Sequence, residues 1–322
     1  MTSTPLEPKK DALGYITGIL APTAFGFMPL FTMPLIHEGM NTASILAYRF
    51  LLAALILFFI LLAKGKKLAV KKKELSVIAL LAILYIWSSV GVQLGYRFMP
   101  TSVTTVIHFT YPVWVVILML IIYKERPHGI NLIAIFLAIV GVMAQAGIFE
   151  GASTFAWQGI LIVASTGLAY ALYMIVVAKS GIGALGPLKL SFYVLLFAGI
   201  GFGIFALLSP LSSELQQNDN AGFQFIHSWR SAYNVLLLSL VSTVLANIFL
   251  VDAVKKIGAT LNAVLGALEP LTALVVGSIV FDEELTPSAY IGIVLIVFSV
   301  TLIATSGKIA YILKVKKLRR RK

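Results

Sequence analysis

The chain has 322 residues, 59% of them hydrophobic and only 12% charged, with a mean hydropathy of +0.97 and a formal charge of +12. Soluble domains are about 45–50% apolar and about 25% charged, so this composition excludes a water-soluble globular fold and makes lipid the solvent. The absence of cysteine excludes disulfides, thiol nucleophiles and cysteine-ligated metals.

After a hydrophilic segment, 1–13, ten apolar stretches are long enough to cross a bilayer as helices: 14–36, 43–63, 75–96, 101–123, 129–148, 157–178, 188–208, 232–253, 259–280 and 288–305. The runs are continuous rather than alternating, which excludes a β-barrel. The first lacks a small-residue cleavage site and is too long for a signal-peptide core, so it is expected to be retained. Its prolines, Pro22, Pro29 and Pro34, mark a bend, with Pro22 as a candidate gating position. The second span carries Arg49, a candidate for gating, for ion pairing or for a substrate carboxylate. Trp87, Ser88 and Gln93 of the third lie beside Gly91 and Gly95. In the fourth, His108 shares a face with Thr104 and Tyr111, and Trp114 is near. Tyr170 and Tyr173 continue a stripe from Thr166 in the sixth, and Asn247 is the polar candidate of the eighth. The ninth holds Glu269 immediately before Pro270, with Asn262 and Thr272 on or near its face. An ionisable group at bilayer depth is costly and marks a functional position by default. Glu269 is therefore the first candidate for substrate binding or coupling, against a structural ion pair. Trp87, His108, Tyr111, Tyr170, Tyr173, Asn247 and Asn262 complete the candidate substrate-binding set, against plain packing. Glycine spacings, such as Gly199, Gly201 and Gly203, serve close helix approach.

Sorting the 25 Lys and Arg residues with the N-terminus inside puts 22 on the inner side, Arg97 and Arg230 outside and Arg49 within a span. The positive-inside rule then places both termini in the cytoplasm of a bacterial inner-membrane protein. The basic tail, 306–322, is a topology anchor for anionic lipid headgroups, and nucleic acid is not expected as a partner.

The chain also resembles itself. Residues 103–142 lie on 261–300 without a gap, pairing Val106 with Val264, Pro112 with Pro270, Glu125 with Glu283, Leu137 with Leu295 and Val142 with Val300. Gly14, Ala24 and Phe25-Gly26 likewise fall on Gly159, Ala169 and Tyr170-Ala171. The repeats are 14–148 and 157–305. Five spans each is an odd number, so the two must be inverted, an architecture of secondary transporters with the substrate site between the halves. The expected fold is thus all-α integral membrane, ten transmembrane helices as two inverted five-helix repeats.

Ala47-Tyr48-Arg49-Phe50, Tyr111-Pro112, Glu269-Pro270, Glu125 and Glu283, set in this 5+5 pattern, resemble the EamA-type ten-helix members of the drug/metabolite transporter superfamily. The chain departs from the Trp-Gly pair that many members carry late in the first helix, having Phe25-Gly26. The resemblance implies carriage of a small metabolite, and export of amino acids or related amphiphiles by analogy. Its partners would be that substrate, membrane lipids and a coupling proton or ion if transport is ion-driven. The expected state is a monomer without cofactors. The competing classes are an integral-membrane enzyme and a structural membrane protein. No HExxH, GxSxG or P-loop pattern supports the former, and no soluble domain accompanies the helices to support the latter.

Overall fold

A computed structural model describes residues 12–95, 98, 104, 107–125, 129–145, 157–208, 222–280 and 285–302. Glu283, the side chain of Gln93, the 1–11 segment and the basic tail lie outside the described residues. All elements among the described residues are helical: α1 (Ala12–Gly26), α2 (Met28–His37), α3 (Thr42–Ala63), α4 (Lys72–Gly95), α5 (Tyr111–Tyr123), α6 (Gly129–Gln145), α7 (Trp157–Lys179), α8 (Pro187–Leu208), α9 (Trp229–Ser239), α10 (Ala246–Leu265), α11 (Leu268–Val280) and α12 (Pro287–Leu302). Only helices let such apolar segments satisfy their backbone in lipid. Among the described residues, six helical stretches are long and apolar enough to cross a membrane, and four shorter helices are apolar: Tyr111–Tyr123, Gly129–Ala144, Leu268–Val280 and Pro287–Leu302.

Several expected spans are interrupted. The first divides at Phe27, just before the Met28-Pro29 start of α2, whereas α1 runs on through Pro22. The fourth turns at Phe109–Thr110, and the ninth at Gly266–Ala267. Each turn precedes a proline, and the physical reason is shared. Pro112 offers no N–H to the carbonyl of His108, nor Pro270 to that of Gly266, so neither helix continues across. Gly266 O instead accepts from Glu269 N in a tight turn (2.9 Å). The eighth span continues past its expected end and stops at Gly258, whose φ of 82° suits glycine. Between α9 and α10 the segment Leu240–Leu245 widens into a π-helical turn.

Packing follows a simple relation. With the apolar stretches numbered in chain order, the most extensive pairs are second with seventh, first with eighth and third with sixth. Next come first with ninth, fourth with sixth, second with eighth and third with seventh. Exchanging each stretch with the one five places on returns the same set of pairs. Glycines allow the close approaches: a Cβ on Gly91 would meet Thr166 Cγ2 at 2.3 Å, and one on Gly95 would meet Val163 Cγ2 at 2.3 Å.

The same relation governs two non-helical straps at opposite ends of the bundle. One opens on Gly65 (φ 60°) and leads into α4; the other opens on Gly222 (φ 105°) and leads into α9. The seventh residues of α8 and α3 clasp them, Tyr193 Oη donating to Leu68 O (2.5 Å) and the Tyr48 ring packing on Phe223 at 5.0 Å. The third residues do likewise: Lys189 Nζ donates to Ala69 O (2.6 Å), and Ser44 Oγ accepts from Gln224 N (2.8 Å). The second strap has a further latch, where Glu38 accepts hydrogen bonds from the hydroxyls of Ser228 (2.7 Å) and Ser231. Beneath it Phe31, Leu35, Met40, Ile45, Val235 and Leu238 form a closed apolar plug.

Candidate transport site

The three interrupted spans meet in the middle of the bundle. Gly26, at the end of α1, faces the turn of the ninth span so closely that a Cβ there would lie 2.6 Å from Glu269 O. Gly167 of α7 faces the turn of the fourth span in the same way, 3.0 Å from His108 O. Glu269 is therefore held at a helix break by backbone contact. Glu269, His108 and Tyr170 are each partly buried. Glu269 interacts electrostatically with Arg49, Tyr85, Tyr111 and Tyr170, and it forms no ion pair among the described residues.

Aromatic rings from four helices form one wall. Tyr111 meets Tyr170 edge-on at 4.9 Å, and Tyr170 lies near-parallel to Tyr173 at 6.2 Å. The His108 ring is 6.0 Å from Tyr111 and 5.8 Å from Tyr170, and its Nδ1 is 2.8 Å from Thr166 Oγ1. Tyr85 of α4 extends the wall to Tyr173 at 5.5 Å and Phe50 at 5.6 Å. Sequence reading missed Tyr85 and chose Trp87. Two residues along a helix point to roughly opposite sides. Trp87 accordingly lies outside this group, 42% exposed, with its indole N–H donated to Ser165 Oγ (3.0 Å). Pro22 is buried within α1, five residues before Phe27, where the span divides.

Both asparagines are buried with half of their amide unmet. Asn247 Nδ2 donates to Thr243 O (2.8 Å) and Tyr85 Oη (3.3 Å), and Asn262 Nδ2 points at Met174 Sδ (3.7 Å). Asn247 Oδ1, Asn262 Oδ1 and Tyr173 Oη have no partner among the described residues. A buried polar group left unpaired costs about 1–3 kcal/mol, which a ligand's N–H groups would recover. Tyr173 belongs to the aromatic wall and Tyr85 ties Asn247 to it, so two of these three oxygens lie at that wall.

Arg49 plays a different part. Its Nε donates to Thr243 Oγ1 (2.7 Å), Nη2 to Ser242 O (2.9 Å), and Nη1 approaches Met28 Sδ (3.2 Å). The π turn makes this possible: Ala246 N reaches back to Val241 O rather than to Ser242 O. Arg49 thereby joins α3 to the π turn and to the first residue after the break in the first span. Nothing in the sequence of Leu240–Leu245 announces that turn. Glu125 pairs with Lys179 at the end of α7, while the left-handed Lys124 closes α5. Asp252 accepts from Lys256 (2.8 Å) and Thr17 (3.2 Å), away from the central group. Among the described residues no His, Cys, Asp and Glu cluster could hold a metal ion.

Comparison with known proteins agrees with this architecture. An uncharacterized transporter of Synechocystis sp. is 25% identical over 64% of this chain and 59% of its own length. The uncharacterized transporter YetK of Bacillus subtilis is 25% identical over 77% of this chain and 74% of its own. A protein of known crystal structure has the same fold, with a TM-score of 0.76 at 13% identity over 92% of this chain and 97% of that one. The EamA-like transporter family model matches residues 12–145 and again 157–305. A multi-pass helical membrane protein matched twice over most of its length, the chain belongs to the EamA-like transporter family.

Proposed function

We propose that this protein is a secondary transporter that exports amino acids or related amphiphilic compounds by alternating access between two inverted repeats, 14–148 and 157–305. On this reading ten helices span a bacterial inner membrane, with both termini in the cytoplasm. The observation that carries the proposal is the setting of Glu269: a carboxylate at a helix break, within electrostatic reach of Tyr85, Tyr111 and Tyr170 of the aromatic wall and free of any ion pair among the described residues. A carboxylate, together with the unpaired amide oxygens of Asn247 and Asn262, suits a ligand rich in N–H donors, as an ammonium group is. Tyrosine faces add cation–π attraction, about 0.5–2 kcal/mol each. Tyr111, Tyr170 and Tyr173 would flank the ligand, His108 would be positioned by Thr166, and Asn247 and Asn262 would accept from it. Arg49 and the breaks beside it serve as gating elements. The exchange relation among helix pairs gives the two halves equivalent packings, as alternating access requires.

The test is efflux from proteoliposomes loaded with a panel of labelled amino acids, comparing the wild type with Glu269→Gln. The variant keeps size and most hydrogen bonding and removes charge and proton. Loss of proton-driven accumulation with retained exchange assigns coupling to Glu269; weaker affinity in both assays assigns it to binding. Well-folded Glu269→Gln protein with unchanged affinity, rate and pH profile would overturn the reading.

A further inference from the structure

The lysine-rich end of the bundle holds an open cleft of about 650 Å3, lined by none of the central site's residues. Its walls are apolar: Leu13 of α1, Leu61 of α3, Leu188 of α8 and Phe249 of α10 face one another across it. Its rim is cationic. Lys66 and Lys67 come from the strap, Lys189 from the start of α8 and Lys256 from α10, against the single acid Asp252. That acid is already committed to Lys256 (2.8 Å) and Thr17 (3.2 Å), and Lys189 donates to Ala69 O (2.6 Å). Lys66 and Lys67 have no carboxylate within ion-pair distance among the described residues. Four lysines against one aspartate leave three positive charges uncompensated over an apolar cleft.

This is the complement of an amphiphile with an anionic head. A soluble anion would use the lysines and leave the leucine-lined depth unfilled; a lipid uses both. Leu13, 53% exposed, also continues the apolar wall out to the surface of the bundle. Basic pockets at the positive-inside end of a membrane protein draw anionic headgroups with about 1 kcal/mol per lysine. We propose that this cleft binds an anionic phospholipid of the adjoining leaflet. Its phosphate lies among Lys66, Lys67 and Lys189, and an acyl chain runs along Leu13, Leu61 and Leu188. Because Lys66 and Lys67 sit on the strap and Lys189 on α8, the bound phosphate reinforces the strap's clasp to α8.

The cysteine-free chain permits a direct test. A single Leu13→Cys protein, labelled with a fluorophore and reconstituted, is titrated with phosphatidylglycerol or phosphatidylcholine carrying dibrominated chains, which quench only in contact. Phosphatidylglycerol should quench at a lower mole fraction, with a relative affinity of about fivefold for each contributing lysine. Lys66→Gln/Lys67→Gln should lower that preference about 25-fold. Lys72→Gln/Lys73→Gln, which removes exposed lysines that do not line the cleft, should leave the preference intact. Equal quenching by both lipids in the parent overturns the proposal, as does an equal loss of preference in the two double variants. Removal of the preference by millimolar inorganic phosphate would assign the cleft to a soluble anion and also overturn it.

Discussion

Gly26→Ala is the sharpest probe of how the central site is held. The added methyl carbon would fall 2.4 Å from Thr272 Cβ and 2.6 Å from Glu269 O. Carbon atoms rest about 3.5–4.0 Å apart, so α1 and α11 must separate by about 1 Å. Neither neighbour is the tip of a flexible side chain, and overpacking of this kind costs about 1–3 kcal/mol. Gly203→Ala is the control, since its new methyl would have Leu51 Cδ1 as nearest neighbour at 3.9 Å. There the helix should gain about 0.5–1 kcal/mol from lost unfolded-state freedom. The two substitutions are chemically identical, yet their unfolding free energies should differ by about 1.5–4 kcal/mol. Denaturation of both purified variants in the same mixed micelles, followed by tryptophan fluorescence, measures this. Gly26→Ala should also weaken transport among the molecules that remain folded, because Glu269 shifts with its carbonyl. Equal stability of the two variants would refute the close approach of the two interrupted spans.

Arg49→Lys keeps the charge but cannot reproduce the fork to Thr243 and Ser242; about 1.5–3 kcal/mol of charge-assisted hydrogen bonding should be lost in the same denaturation series. The hydroxyls of Ser231 and Ser228 hold the Glu38 carboxyl below its ordinary value of 4.5. A lowered folded value means that stability is present above the unfolded value and lost as pH falls through the folded one. Melting of the wild type and Glu38→Gln should therefore differ most near neutral pH and converge in acid, as pH falls through the lowered folded value; a constant gap would remove the latch. With a cysteine in place of Lys72 or Asn218, an impermeant thiol reagent on intact cells should label position 218 and spare 72. The reverse result would invert the orientation.

The parts of the fold that follow from solvent were plain in the sequence. Continuous apolar runs and the placement of lysines specify helices in lipid, and the repeated proline of Pro112 and Pro270 marks where two of them break. The site was legible only as a list of residue types. Tyr111, Tyr170, Tyr173 and His108 do converge, but their convergence depends on which face each helix turns inward. Trp87 shows the limit, for an apolar helix surrounded by lipid carries hydrophobic residues on every side, and no period distinguishes Trp87 from Tyr85. The π turn was invisible because its residues differ in no way from those of an ordinary helix. The partners of Arg49 therefore had to come from the structure. The straps were hidden for another reason: the loops bearing Gly65 and Gly222 differ in length and charge, and their likeness lies in backbone and in the third and seventh positions of the helices that hold them.

Equivalent clasps on opposite faces give the protein a thermodynamic balance with arms of similar length. If the proposed alternating access operates, opening one end would release one strap while the other stays seated. The equilibrium between the two open forms then depends on a difference of a few hydrogen bonds, each contributing about 0.5–1.5 kcal/mol. That is the scale of the gaps that separate working conformations. A single substitution at Tyr48 or Tyr193 would therefore reset the resting orientation without altering any group that touches cargo. Net direction could drift among relatives while the central site stayed chemically the same.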